Sequence, residues 1–67
     1  MKMMINMLEV RLIVDNIKRI GGYREKDVLK NLIKIELIRN DDDYKIYRFE
    51  SESNSFEYNF KTHTITN

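Results

Sequence analysis

Between residues 33 and 61 the sequence alternates apolar with polar side chains in three successive runs, IKIELIR, YKIYRFE and SFEYNFK. A period of two places neighbouring side chains on opposite faces of a β-strand. The stretches between the runs, 40–43 and 51–55, are rich in Asn, Asp and Ser, which favour turns. The pattern predicts a three-stranded antiparallel meander over residues 33–62, followed by a tail at 63–67.

One face of this predicted sheet is apolar and the other is charged, as in an antiparallel sheet that is covered on one side. The predicted core side chains are Ile33, Ile35, Leu37, Tyr47, Phe49, Phe56, Tyr58 and Phe60. Three apolar residues, Ile38, Tyr44 and Ile46, fall on the charged face instead. They indicate either a small exposed apolar patch or a β-bulge that shifts the register.

The first 32 residues are predicted to be helical. Residues 2–20 place two apolar stripes on a helical wheel. The first stripe has heptad spacing and contains Met3, Met7, Val10, Val14 and Ile17, and the second contains Met4, Ile5, Leu8 and Leu12. Alternation within residues 8–14 leaves a strand there as an alternative. Gly21 suits a left-handed helix end, and a second helix is predicted from Tyr23 to Leu32.

The predicted fold is therefore α+β, a single domain over residues 1–67 with one or two N-terminal helices packed on the meander. A chain of 67 residues with no Cys and one His has neither a disulfide nor an evident metal site to stabilise a small core. We therefore expect a homodimer. The heptad stripe Met3, Met7, Val10, Val14 and Ile17 is the predicted protein interface, because flexible Met side chains suit an adaptable contact surface.

Charge is distributed unevenly along the chain. Residues 1–34 contain eight Lys and Arg against four Asp and Glu, whereas residues 35–67 contain four against seven. Five cations flank the Gly21-Gly22 pair and form a predicted basic cluster: Lys18, Arg19, Arg24, Lys26 and Lys30. Such a cluster can contact either nucleic acid or an acidic protein.

No pattern of catalytic or metal-binding residues stands out. His63 has no partner at a recognisable spacing, and the serines at 51, 53 and 55 lie in a polar turn without an activating motif. Asp41 to Asp43 lack the alternating oxygen ligands and central Gly of a calcium loop and are interpreted as a solvated turn. We expect no enzymatic activity, no cofactor and no metal.

The N-terminal apolar run is interrupted by Glu9 and Arg11, and no run approaches the roughly 18 apolar residues that span a bilayer. We expect a cytoplasmic protein with no membrane partner. The absence of Ala, Pro and Gln, together with abundant Ile, Lys and Asn, is typical of AT-rich genomes and their phages. The sequence is interpreted as a small protein-binding regulator or inhibitor of phage or mobile-element origin, with a nucleic-acid-binding protein as the alternative.

Overall fold

The computed structural model describes residues 4–67. Two helices pack on one four-stranded antiparallel sheet whose strands lie in sequence order, which confirms the predicted α+β class. The elements are α1 (Met7–Ile20), α2 (Tyr23–Lys30), β1 (Leu32–Asn40), β2 (Lys45–Ser51), β3 (Ser55–Asn59) and β4 (Thr64–Thr66). Neither helix is long and apolar enough to cross a membrane.

Helix α1 begins at a strong N-cap. The Asn6 side chain accepts hydrogen bonds from the backbone N–H groups of Leu8, at 3.0 Å, and Glu9, at 3.3 Å, which satisfies two donors that the helix itself leaves free. Lys18 and Arg19 lie in the last turn, where the helix dipole favours cations. The predicted helix therefore forms, and the alternative of a strand at residues 8–14 is wrong.

The two glycines between the helices allow close approach. Gly21 has a φ of −70°, so the predicted left-handed conformation is wrong. A Cβ at Gly21 would instead lie 2.6 Å from the carbonyl oxygen of Ile17, which excludes a side chain there. The N–H of Gly22 donates to Oε1 of the buried Glu25 at 2.9 Å, and this bond stabilises the start of α2.

The core lies between the helices and one face of the sheet. The helices contribute Val10, Ile13, Ile17 and Val28, and the sheet contributes Leu37, Tyr47, Phe49, Phe56 and Tyr58. Phe49 and Phe56 lie opposite each other on neighbouring strands, and their rings stack with centroids 5.0 Å apart. The predicted aromatic core is thereby confirmed, with Ile35 and Phe60 packed at its margin.

The start of β1 differs from the prediction. A register shift between Leu32 and Lys34 turns Leu32 towards the core, whereas Ile33, a predicted core residue, is 67% exposed. A second shift, between Leu37 and Arg39, confirms the bulge suggested by Ile38 and Tyr44, which are partly exposed. An irregularity of one residue moves the following side chains to the opposite face, so the simple alternation fails at both ends of the strand.

The predicted tail contains a fourth strand, which the prediction of three strands did not include. His63 has a φ of 57° and donates its backbone N–H to the Asn59 carbonyl at 2.7 Å, which closes the turn after β3. The chain then reverses, and Ile65 lies opposite Tyr58. β3 consequently ends at Asn59, before the predicted strand end near Lys61.

Candidate functional site: a lysine-lined groove between the helices

The predicted basic cluster divides among three surfaces. Lys18, Lys26 and Lys30 line one groove between α1 and α2. Arg19 lies on the other side of α1, where its Nη2 donates to Asn16 Oδ1 at 2.9 Å. Arg24 faces the turn between β2 and β3. Only the three lysines therefore form a common site.

This lysine groove has an apolar floor and a cationic rim. Its lining residues are Val14, Lys18, Lys26, Leu29, Lys30 and Leu32, and its volume is about 450 Å³. The three apolar side chains are half-buried and pack against the core, while the three lysines are exposed. Residues three and four apart on a helix share a face, so α2 presents Lys26, Leu29 and Lys30 together.

No described residue forms an ion pair with a lysine of the groove. Among residues 4–67 the ion pairs are Lys34–Glu36, Arg39–Asp41, Lys45–Glu9 and Arg48–Glu50, and none of them includes a groove lysine. Three like charges around the apolar floor create a positive potential over the groove. The floor can at the same time bury apolar surface against a ligand. The site is therefore complementary to a ligand that is both anionic and apolar.

The predicted interface stripe is largely used inside the chain. Val10 and Ile17 are fully buried in the core, and Val14 is part of the floor of the lysine groove. Met7 remains exposed, and Met3 lies outside the described residues. Since α1 lies on the sheet with this face inward, Val10 and Ile17 cannot contact a partner in this structure, which corrects the predicted surface.

Two residues of the second stripe are also exposed on α1. Leu8 is 74% exposed and Leu12 is 60% exposed, although both are large aliphatic side chains. Ile13, which belonged to neither predicted stripe, is buried. The face of α1 that packs on the core is therefore rotated about the helix axis relative to the predicted face. The rotation is smaller than the angle of about 100° between consecutive residues of a helix. Hydrophobicity alone could not distinguish the two stripes, because both are equally apolar.

A second cleft lies between α1 and the turn that leads into β4. It has a volume of about 600 Å³, and Leu12, Ile20 and Phe60 are among its lining residues. A chain of polar contacts crosses it: Asn16 Nδ2 donates to the Tyr58 hydroxyl at 2.6 Å, and this hydroxyl lies 3.2 Å from His63 Nδ1. These contacts satisfy the buried phenol, so the sole histidine has a structural partner.

Glu9, Lys45 and Tyr47 form the most buried charged cluster. Lys45 Nζ lies 2.7 Å from Glu9 Oε1, which also accepts a 2.6 Å hydrogen bond from the Tyr47 hydroxyl. Burial alone would raise the pKa of Glu9, but the hydrogen bonds from Lys45 and Tyr47 outweigh it and hold that pKa below its usual range. Burial and the bond to Glu9 raise the pKa of Tyr47 to about 12. The cluster joins the start of α1 to β2.

The Asp41 side chain, in the turn after β1, is occupied by hydrogen bonds within that turn. Asp41 Oδ1 accepts from the N–H groups of Asp43, at 2.9 Å, and Tyr44, at 2.8 Å, and Asp41 Oδ2 accepts from Arg39 Nε at 2.6 Å. The Arg39 guanidinium also lies over the Tyr44 ring at 4.1 Å. Within residues 4–67 no group of His, Cys, Asp and Glu side chains is arranged to hold a metal ion.

No known protein family, curated protein sequence or solved structure matches the chain. Functional inference therefore depends on the geometry of its surfaces. Of these, the lysine groove is the one that combines a defined shape, an apolar floor and charge without a counterion among the described residues.

Proposed function

We propose that the protein is a small, non-enzymatic regulator that binds an acidic, partly apolar segment of another protein in the lysine groove. The observation that supports this proposal is the arrangement of Lys18, Lys26 and Lys30 around a floor of half-buried aliphatic side chains. An extended or helical segment with alternating carboxylates and large apolar residues would match both features.

The two features have different energetic roles. Exposed ion pairs contribute only about 0–1 kcal/mol each, so the lysines mainly accelerate association and select acidic partners. The floor supplies affinity, at about 25 cal/mol per Å² of apolar surface removed from water. We therefore expect modest affinity with a clear preference for acidic sequences.

Nucleic acid is the alternative ligand, and the groove suits it less well. Proteins that bind single strands stack bases on exposed aromatic rings, and no aromatic side chain lines the lysine groove. The large aromatics Tyr47, Phe49, Phe56 and Tyr58 are buried in the core. Duplex binding would require a broad cationic face, whereas Arg19 and Arg24 lie on other surfaces.

The test is a selection from a phage-displayed library of random 12-residue peptides, followed by titration of the selected peptides against K26E/K30E. We expect the selected peptides to combine Asp or Glu with Leu, Ile or Phe. Reversal of two charges on the rim should weaken their binding by about tenfold or more, which corresponds to about 1.4 kcal/mol. The matched control R19E/R24E makes the same change in net charge at exposed positions on other surfaces and should bind normally.

Two results would contradict the proposal. One is equal binding of the selected peptides to K26E/K30E and to the unaltered protein. The other is the absence of any enriched acidic peptide, combined with binding of a mixed DNA and RNA pool that weakens steeply with salt and is lost in K26E/K30E. That second result would assign the groove to nucleic acid.

We also propose that the chain works as a homodimer, as a cytoplasmic protein of phage or mobile-element origin. Support for the dimer is physical: a chain of 67 residues has a small core, and large apolar side chains such as Leu8, Leu12 and Ile33 remain exposed. Support for the origin is the compositional bias alone.

A further inference from the structure

β1 is a long edge strand. It has nine residues, lies at one edge of the sheet and, within residues 4–67, is paired only with β2. Helix α2 packs on β2 and β3 rather than on this edge. Natural sheets usually protect long edges with proline, a cover, β-bulges or charged side chains, because unpaired backbone groups there can pair with another chain. β1 has a register shift at each end, but residues 34–37 pair regularly with β2. The chain contains no proline, and Ile33 and Ile38 on β1 are exposed.

The alternation of backbone hydrogen bonds along the strands identifies which backbone groups of β1 are free. Phe60 N–H donates to the Lys45 carbonyl at 2.7 Å, and Ser51 N–H donates to the Asn54 carbonyl at 2.8 Å. Odd-numbered residues of β2 therefore direct their backbone groups to β3, and even-numbered ones direct theirs to β1, since the direction alternates along an antiparallel strand.

The same alternation applies along β1 and shows which of its backbone groups point to the outer edge. Lys34 lies opposite Glu50, and Glu36 lies opposite Arg48, so the backbone groups of Lys34 and Glu36 face β2. The backbone groups of Ile35, between them, point away from the sheet. Ile35 is thus the natural centre of a pairing with a second strand.

Charge selects the register of such a pairing. In an antiparallel pair of two β1 strands with the two-fold axis at Ile35, Lys34 of each copy lies opposite Glu36 of the other. An axis at Lys34 would place two lysines opposite each other, and an axis at Glu36 would place two glutamates opposite each other. Like charges directly across a pair of strands are destabilising, so the axis at Ile35 is favoured.

Within one chain Lys34 Nζ and Glu36 Oε1 already lie 3.4 Å apart on the exposed face. The axis at Ile35 would join two such pairs into a square of four charges with alternating sign. On the opposite face the half-buried Ile35 side chains of the two copies would meet beside the core. Both faces of the pairing are therefore complementary.

From this geometry we infer that two copies of the chain join antiparallel through the open edge of β1, with the two-fold axis at Ile35, and form one continuous sheet of eight strands. This inference rests on the proposed homodimer and assigns its interface. The paired surface differs from the lysine groove, although the two adjoin at Leu32, which begins β1 and lines the groove.

The experiment uses charge reversal with complementation, read out by light scattering over a range of concentrations. K34E places glutamate opposite Glu36 of the second copy, and E36K places lysine opposite Lys34. Each variant alone should dimerise with a Kd raised by about tenfold or more, because two attractive contacts become repulsive. An equimolar mixture of K34E and E36K should form a heterodimer, since every contact across the axis is again attractive.

The mixture separates an interface effect from a folding effect. Mixing cannot repair the disturbed Lys34–Glu36 pair inside either chain, so recovery of the dimer reports only the contact between chains. Circular dichroism checks that each variant is folded, and E52K, in the exposed turn after β2, is the control that should dimerise normally.

Each outcome decides between the two proposals. A dimer that withstands K34E and E36K would overturn the β1 pairing and leave the homodimer intact on another surface. A monomer at all concentrations would overturn both. Weakened variants whose mixture fails to recover the dimer would reject the axis at Ile35.

Discussion

Among single residues, Glu9 makes the clearest pH-dependent contribution to the stability of the fold. Its carboxylate accepts from Lys45 and Tyr47 and has a pKa held below its usual value of 4.5. A depressed folded-state pKa means that the folded protein binds this proton less readily than the unfolded chain does. The stabilisation is therefore fully present above about pH 4.5 and is lost as the pH falls through the lower folded-state value.

We predict that Glu9→Gln lowers the free energy of unfolding at pH 7 by about 1–2 kcal/mol, because a charged hydrogen-bond acceptor is lost. The difference between the variant and the unaltered protein should shrink as the pH is lowered below 4.5. Urea denaturation at a series of pH values measures this. A difference that stays constant down to pH 2 would show that the charge of Glu9 contributes no stability.

Tyr47 should dominate the alkaline limb of the stability profile. Its pKa is raised from 10.0 to about 12, so folding favours the neutral phenol. The corresponding stability is present below pH 10 and is lost as the pH rises towards 12, by up to about 3 kcal/mol at 1.36 kcal/mol per pKa unit. Tyr47→Phe should flatten this decline in urea titrations between pH 9.5 and 11.5. Tyr23→Phe, at a side chain 90% exposed, should keep the slope of the unaltered protein.

The spatial placement of several single residues could not be predicted from the sequence. The three lysines of the groove belonged to the predicted basic cluster, but sequence spacing could not separate them from Arg19 and Arg24. That separation depends on how α1 and α2 are rotated about their axes, and rotation is set by packing. Glu25 was not among the predicted core or site residues, yet its buried carboxylate accepts a hydrogen bond from the Gly22 N–H.

At the scale of elements, alternation predicted the strands wherever pairing is regular. It failed at the start of β1, where a register shift exchanges the faces of Leu32 and Ile33. It also missed β4, because a strand of three residues with one apolar side chain, Ile65, carries too little periodic signal. The turn at His63 requires a positive φ, which non-glycine residues seldom adopt, so this reversal could not be predicted from residue types.

The register shift in β1 makes a prediction opposite to that of simple alternation. Leu32→Thr should lower the free energy of unfolding by about 1–2 kcal/mol, because a half-buried side chain packed on the core is shortened and made polar. Ile33→Thr should change it by less than about 0.5 kcal/mol, as expected for an exposed position. Chemical denaturation of both variants in the K34E background, at protein concentrations below its raised Kd, removes any contribution from self-association. The reverse order of effects would place Ile33 in the core.

In the molecule as a whole, the cationic excess lies in the helices and the acidic excess lies in the turns between strands. The two helices contain six Lys and Arg against four Asp and Glu, whereas Asp41 to Asp43 and Glu52 lie in the turns before and after β2. The lysine groove opens on the helical side, and the β1 edge lies at the side of the sheet. One copy therefore has two separate binding surfaces, and a β1-paired dimer would present two lysine grooves to a partner.

Dimerisation also predicts how stability depends on protein concentration. If folding is coupled to pairing, dilution favours unfolded monomers, and Tm rises with concentration by mass action. With an unfolding enthalpy of about 0.7 kcal/mol per residue and 67 residues in each chain, Tm should rise by about 5 °C for each tenfold increase in concentration above the dimer Kd. Differential scanning calorimetry across two decades of concentration measures this slope. K34E, whose Kd is raised by about tenfold or more, should have a Tm that is lower by about 5 °C or more at the same concentration, because a tenfold rise in Kd acts like a tenfold dilution. The control E52K should match the unaltered protein. A concentration-independent Tm in the unaltered protein would mean that the exposed apolar surface is tolerated by a single chain, and that the small core alone stabilises the fold.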